Sequence, residues 1–260
     1  MNNKLSILLL ILIGMSSLTA NAQKAITLRL QPKQGQTLTA TSKATMTTLM
    51  NVQGQSMSMG QNMEFRQSFT TKAVSDKQVA IETQIEAIKM SMSQMGMKLD
   101  YDSEHPEKTS PMLAGQTKEL EKTLKKATTL TYDAMGKLIS DSIDLEMNQL
   151  ANIILEFPEQ EVTEGSKWNS KKTQSVNDVD IVIDMEYTVT SISKKKVDLS
   201  FTGNVDSKEV KGTYTGTASI DPQTGLVIIS TTRSNVSMTI NEQGMSMPIT
   251  IAGSTTIEVK

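Results

Sequence analysis

Apolar and polar residues alternate over long stretches of this chain. From Val179 to Thr190 every second residue is apolar, and only Val182 interrupts the polar set between them. Successive side chains of a β-strand point to opposite faces, so residues that alternate in this way form one apolar and one polar face. The same alternation recurs around Phe65 and around Ile249. The pattern predicts antiparallel strands that are buried on one side and solvated on the other.

Two stretches carry the same pattern at an offset of 118 residues. The first begins at Met63 and the second at Ile181, and each contains a Ser-x-Lys turn between two alternating runs. At this offset Phe69 corresponds to Tyr187, so the inward-facing positions of both stretches coincide. We therefore predict two related β-rich halves, which form one domain or two. The predicted boundaries are a first half at residues 23–140, a helix and linker at 141–164, and a second half at 165–260.

Apolar residues at spacings of three and four predict a helix within the linker. The stripe consists of Ile143, Met147, Leu150, Ile154 and Phe157. Pro158 follows it directly and would end the helix. A shorter helix is predicted from Lys118 to Lys126, with Leu120 and Leu124 on one side. The predicted fold class is mainly β (α+β): long antiparallel strands in a curved sheet or an incomplete barrel, with one or two short helices.

The first 22 residues have the pattern of an export signal. Lys4 is a positive residue before the apolar run from Ile7 to Ile13, and Ala20 and Ala22 match a small-x-small cleavage site. The apolar run is too short to cross a membrane as a helix. We expect cleavage near Ala22 and a periplasmic or secreted protein that does not span a membrane.

The composition removes several function classes. The chain has no cysteine, one histidine and a formal net charge of −2. The missing cysteines exclude disulfides, thiolate metal sites and a cysteine nucleophile, and the charge argues against nucleic acid as a partner. The single histidine, His105, lies in a polar stretch, and the chain has no Gly-x-Ser-x-Gly motif. We expect a protein that is not an enzyme and needs no cofactor.

Several of these features together resemble known groups of proteins. The signal sequence, the Phe157–Val162 stretch followed by Gly165-Ser-Lys-Trp168, and the turns that run from Asp to Gly resemble secreted β-rich proteins of unknown function that are common in Bacteroidetes. The architecture also resembles the lipoprotein-carrier group, in which a curved antiparallel sheet wraps an apolar cavity under short helices. This second resemblance is one of architecture, and it implies a similar fold.

Methionine is unusually frequent, with 18 residues against nine aromatic ones. The densest run holds four of them: Met90, Met92, Met95 and Met97. Thioethers are soft ligands that select Cu(I), so this run is a candidate copper site. A spacing of two also places such residues on one side of a strand, where methionine fills an apolar surface that can adapt to varied ligands.

The sequence thus favours a non-catalytic protein that binds an apolar ligand, such as a lipid, or an envelope partner on a methionine-rich sheet face. Two alternatives stay open: periplasmic Cu(I) binding through methionine, and a purely structural interaction module. The residues predicted to form the apolar ligand face are Met63, Phe65, Phe69, Ile183, Met185, Tyr187, Leu150 and Ile154.

Overall fold

A computed structural model describes most of the chain. It covers residues 24–52, 54–94, 96–113, 117–124, 126–139, 153–176, 179–207, 210–242 and 245–260. The strands are β1 Thr37–Val52, β2 Gln55–Val74, β3 Gln78–Gln94, β4 Met97–Asp102, β5 Ala127–Asp133, β6 Lys167–Val176, β7 Val179–Ile192, β8 Val197–Asp206, β9 Val210–Ile220, β10 Val227–Glu242 and β11 Met245–Val259. The short helix α1 spans Thr117–Thr123, and two 3-10 turns lie at Pro106–Lys108 and Pro111–Leu113.

The eleven strands form one antiparallel sheet in the order β4-β3-β2-β1-β11-β10-β9-β8-β7-β6, and β5 pairs with β3 beside β4. The sheet does not close into a barrel. The predicted mainly β fold with long antiparallel strands and very few helices is therefore confirmed. Tight turns at Ser75 and Ser193 lie at one end of the sheet, which we call the base. The β1–β2 and β10–β11 connections lie at the other end, which we call the tip end.

The two repeated stretches occupy equivalent places in the sheet. Phe69 pairs with Leu38 and Thr83, and Tyr187 pairs with Trp168 and Phe201. Thr83 and Phe201 keep the offset of 118 residues, whereas Leu38 and Trp168 are 130 residues apart. The register shifts two residues later in both stretches, after Thr71 in β2 and after Val189 in β7. Equivalent registers and equivalent bulges make β1-β2-β3-β5 the counterpart of β6-β7-β8-β9.

One face of the sheet, which we call the core face, packs against two covering segments at the base. The first segment, residues 24–36, enters β1, and the second, residues 153–166, enters β6. They meet in an antiparallel bridge between Ile26 and Val162. Leu28, Leu30 and Ile153 are almost completely buried against the core face, where they form an apolar cluster with Phe69 and Tyr187 that we call the base cluster. Burial of these side chains removes apolar surface from water and fixes both segments on the sheet.

A second cluster covers the core face of β2 and β3. It is built on Phe65, Ile85 and Ile88, and Tyr101 and Leu113 close over it. Helix α1 packs Leu120 and Leu124 against the same cluster. The short helix predicted at 118–126 is confirmed, and its apolar side lies toward the sheet.

The longer helix predicted up to Phe157 is wrong in its described part. Residues 153–157 are extended. Ile154 forms an antiparallel bridge with Leu226, and the Phe157 N–H donates to Met135 O over 2.8 Å. Ile153, Ile154 and Leu155 are consecutive and all buried, because the segment has protein on both sides. The continuous apolar run of these three residues has no period of two, so it also matches a helical spacing. The remainder of the stripe, at Ile143, Met147 and Leu150, lies outside the described residues.

Candidate functional site

The two faces of the sheet differ in chemistry. The face opposite the core face, called the outer face, carries ion pairs such as Lys43–Glu64, Lys167–Glu186 and Lys171–Asp184. A depression of about 480 Å³ on it is lined by Asn169, Val182, Asp184, Glu186, Thr202, Asn204 and Asp206. Its three carboxylates each have a lysine partner, since Lys211 pairs with Asp206. The outer face is therefore a solvated, charge-balanced surface.

The core face continues beyond both covered clusters toward the tip end. There, four neighbouring strands, β2, β1, β11 and β10, present apolar side chains that belong to neither cluster. We call this surface the open face. Its members are all half-buried: Met46, Met50, Met57, Met59, Val236, Met238, Met247, Ile249 and Ile251.

The strand register arranges the open face in rows. One row crosses five strands without a polar side chain: Met57, Met50, Ile249, Met238 and Val210. The next row toward the base consists of Met59, Thr48, Ile251, Val236 and Gly212. From the strand spacing and the rise per residue, the open face measures roughly 14 Å across the strands and roughly 20 Å along them. A surface of this size and composition can hold an acyl chain or a similar apolar group.

Gln61 is a polar residue within the methionines at one side of the open face. Its Nε2 donates to the sulfur of Met63 over 3.3 Å and to the sulfur of Met90 over 3.2 Å. Met46 on β1 and Met92 on β3 lie directly opposite Gln61 in the neighbouring strands. We call the group of Met46, Met59, Met63, Met90 and Met92 the methionine patch.

The predicted ligand-face residues are divided between covered and uncovered regions. Phe69, Tyr187 and Ile154 are buried in the base cluster, where Met185 packs against them, and Phe65 lies in the second cluster with Met63 at its margin. Ile183 pairs with Val205 on the half-buried core side of β7. Leu150 lies outside the described residues. All the described members therefore share the core face, but the most buried ones have protein neighbours in place of a ligand.

The run of four candidate copper ligands is not brought together as a run. Met90 and Met92 share the core side of β3, and Met97 begins β4 opposite Gln94, with 52% of its surface exposed. Met95 lies outside the described residues. Within the described part of the chain, no group of three or more His, Cys, Asp or Glu side chains could hold a metal ion.

Sequence reasoning missed the members of the open face on β1, β10 and β11. Met46 and Met50 occur in a threonine-rich stretch. The pairing register of β1 with β2 brings them into the open face, since Met50 lies opposite Met57 across the turn at Gly54. Glycine at that turn has φ +82°, and a hairpin predicted there would have placed these methionines opposite each other.

The base of the core face has one carboxylate close to aromatic groups. Glu156 accepts a hydrogen bond from Ser170 Oγ over 2.6 Å, and its backbone oxygen accepts the Trp168 indole N–H over 2.8 Å. Trp168 stacks on Tyr187 with ring centroids 5.3 Å apart. Burial, with a smaller contribution from Glu156, raises the pKa of Tyr187 to about 12. These groups are engaged with each other, so they hold the second covering segment on β6 and β7.

Sequence comparison places part of the chain in relation to a family. Residues 140–227 match the model of a family of unknown function (DUF6263). The described part of this match contains the second covering segment and β6 to β9, which is one copy of the repeated unit. No curated protein matches the chain in sequence.

The fold resembles a solved structure that describes lipid–protein interactions in lipovitellin. The TM-score is 0.55 at 8% sequence identity, over 88% of this chain and 25% of that chain. The chain thus spans about a quarter of the length of that relative, and the likeness is one of fold. An outer membrane channel from Pseudomonas putida F1 (7% identity, 89% of this chain, 97% of that chain) has a TM-score of 0.29. An outer membrane lipoprotein-sorting protein domain from Vibrio parahaemolyticus (9% identity, 82% and 83%) has a TM-score of 0.17. These last two scores are too low to support an argument.

No helix in the described part of the chain combines the length and the apolar character that crossing a membrane requires.

Proposed function

We propose that this protein is an exported, non-catalytic carrier that binds an apolar ligand of the lipid class on the open face. The observation that carries the proposal is the unbroken apolar row from Met57 through Met50, Ile249 and Met238 to Val210. Contiguous apolar surfaces rimmed by polar residues commonly mark ligand or partner sites on soluble proteins.

The composition of the open face suits a ligand with flexible apolar chains. Six of its nine members are methionine, whose unbranched thioether side chain repacks against varied shapes at low cost. The outer face of the same strands is polar, so the apolar character of the open face is not a general property of these strands. The fold shared with lipovitellin, a protein described for its lipid interactions, is compatible with this function.

The N-terminal 22 residues support export to the cell envelope, where a carrier of this kind would meet membrane lipids. The lack of any cysteine and the single histidine are consistent with a binding protein without chemistry of its own. The covered base and the covered β2–β3 cluster would hold the sheet rigid, while the open face accepts the ligand.

A fluorescent fatty acid titrated into the full chain tests the proposal. Met50→Glu places a carboxylate in the middle of the apolar row, where a buried charge without a partner is costly. Leu49→Glu is the matched control, because Leu49 is the adjacent residue, points to the outer face and is 52% exposed. We expect the affinity to fall at least about tenfold in Met50→Glu and to stay unchanged in Leu49→Glu. Equal affinities of the two variants, or no binding by the unaltered protein, would overturn the proposal.

A further inference from the structure

We propose that the methionine patch around Gln61 binds a soft monovalent metal ion, Cu(I) or its analogue Ag(I). This inference does not rest on the lipid proposal, because it concerns the sulfur atoms of the patch and not its apolar area.

The contacts of Gln61 mark the position of such an ion. Its Nε2 donates to two sulfur atoms, Met63 Sδ at 3.3 Å and Met90 Sδ at 3.2 Å. A hydrogen-bond donor and a cation both interact with the lone pairs of a thioether. The lone pairs of Met63 and Met90 therefore already converge on one point of the core face, and the Gln61 amide occupies that point.

Further thioethers lie around the same point. Met46 and Met92 occupy the positions directly opposite Gln61 on β1 and β3, and Met59 precedes it by two residues on the same side of β2. Side chains directly opposite each other in a sheet have Cβ atoms about 4.5–5.5 Å apart, which the long methionine side chain readily spans. A rotation of the Gln61 side chain would thus leave an ion within reach of Met63, Met90 and at least one further sulfur.

The donor set determines which ion would bind. Thioethers are neutral and soft, so they favour Cu(I) and offer little to Ca²⁺, Mg²⁺ or other ions that prefer oxygen. Charged residues of these strands are paired with each other on the outer face, as in the ion pair between Lys43 and Glu64. No cluster of histidine and carboxylate ligands in the described residues competes for the ion.

This site differs from the one that the run of methionines in the sequence suggests. Met90 and Met92 belong to both sets, but the structure adds Met46, Met59 and Met63 from neighbouring strands. Met97 lies apart at the exposed start of β4, opposite Gln94. The sulfur atoms are brought together by the pairing of β1 with β2 and of β2 with β3, and not by the spacing of methionines along one strand.

The site can be tested by NMR on the full chain with ¹³C-labelled methionine methyl groups. Ag(I) is titrated into the protein and the methyl signals are followed. We expect saturable one-to-one binding that shifts the methyl signals of Met63 and Met90 and of one or more further patch methionines. Met112, which is 68% exposed, should not respond. A competition titration with a Cu(I) chelator under anaerobic conditions then gives the affinity for Cu(I).

Two double variants make the test specific. Met63→Leu/Met90→Leu conserves volume and apolar character, so the fold should persist. The affinity for Ag(I) should fall at least about tenfold in this variant and stay unchanged in Met97→Leu/Met112→Leu, which replaces two exposed methionines outside both the methionine patch and the open face. Equal affinities of the two double variants, no saturable binding, or equal shifts at Met112 would overturn the proposal. Binding of the fluorescent fatty acid should survive both leucine replacements, so a failure of the metal site is distinguishable from a failure of the lipid proposal.

Discussion

Gly136 and Gly225 end equivalent turns, and each packs against the segment that enters the opposite half. A Cβ atom added at Gly136 would lie 2.2 Å from Leu155 O, and one added at Gly225 would lie 2.2 Å from Arg29 O. Leu155 belongs to the segment that leads into β6, and Arg29 to the segment that leads into β1. This reciprocal packing joins the two halves at the base of the sheet.

The Gly225 contact predicts a large loss of stability in Gly225→Ala. The alanine would have to adopt a φ of +71°, which costs roughly 1–2 kcal/mol, and its Cβ would also collide with the Arg29 backbone. The overlap should add about 1–3 kcal/mol. Denaturant unfolding of the full chain measures the change in the free energy of unfolding.

Gly165→Ala is the matched control for this prediction. Gly165 has a φ of +85°, but an added Cβ would meet nothing within 4 Å. This variant should lose only the conformational part of the effect. If both variants lost the same stability, the packing between turn and segment would contribute nothing.

Because the second covering segment is buried on the core face, we expect truncation of Ile154 to lower the free energy of unfolding strongly. Ile154 is 3% exposed and lies in the base cluster, so Ile154→Ala should cost roughly 2–5 kcal/mol. Ile228→Ala is the control, because Ile228 is 38% exposed and should lose less than about 1 kcal/mol. Thermal and denaturant unfolding distinguish the two values, and a neutral Ile154→Ala would show that the segment is not held on the sheet.

Much of the fold can be predicted from the alternating pattern, because a period of two fixes both the strand and the face on which each residue lies. The equivalence of Phe69 and Tyr187 follows from this pattern and from the matched turns at Ser75 and Ser193. The extended conformation of residues 153–157 could not be predicted in this way. Ile153, Ile154 and Leu155 are buried on all sides, and a continuous apolar run has no period that separates a strand from a helix.

The candidate site could be predicted only in part for a related reason. The methionines of β3 stand out as a run, but Met46 and Met59 do not. They reach Met90 and Met92 through the register of three strands, and register depends on the turn at Gly54 and on long-range packing. The degree of burial could not be predicted either: Phe69 and Met50 both lie on the core face, but Phe69 is buried in the base cluster and Met50 is half-buried.

Two buried tyrosines predict a loss of stability at high pH. Burial raises the pKa of Tyr132 to about 12, and burial with a smaller contribution from Glu156 raises the pKa of Tyr187 to about 12. In the unfolded chain both phenols ionise near pH 10. Their contribution to stability is therefore fully present below pH 10 and is lost progressively between pH 10 and 12, by about 1.4 kcal/mol per pH unit for each tyrosine.

The double variant Tyr132→Phe/Tyr187→Phe isolates this contribution from the titration of lysine. The free energy of unfolding, measured against pH by denaturant titration, should fall less steeply between pH 10 and 12 in the variant than in the unaltered protein. Identical slopes would mean that neither phenol is protected from ionisation by the fold.

Binding of a lipid on the open face is tested most directly by native mass spectrometry. The full chain is purified without detergent and incubated with phospholipid vesicles before the measurement. The unaltered protein should retain a lipid mass after the vesicles are removed. Met238→Asp, on the open face, should lose this mass, and Thr239→Asp, at the exposed neighbouring position on the outer face, should retain it. A protein that retains no lipid, or three proteins that retain it equally, would contradict the proposal that the open face binds an apolar ligand.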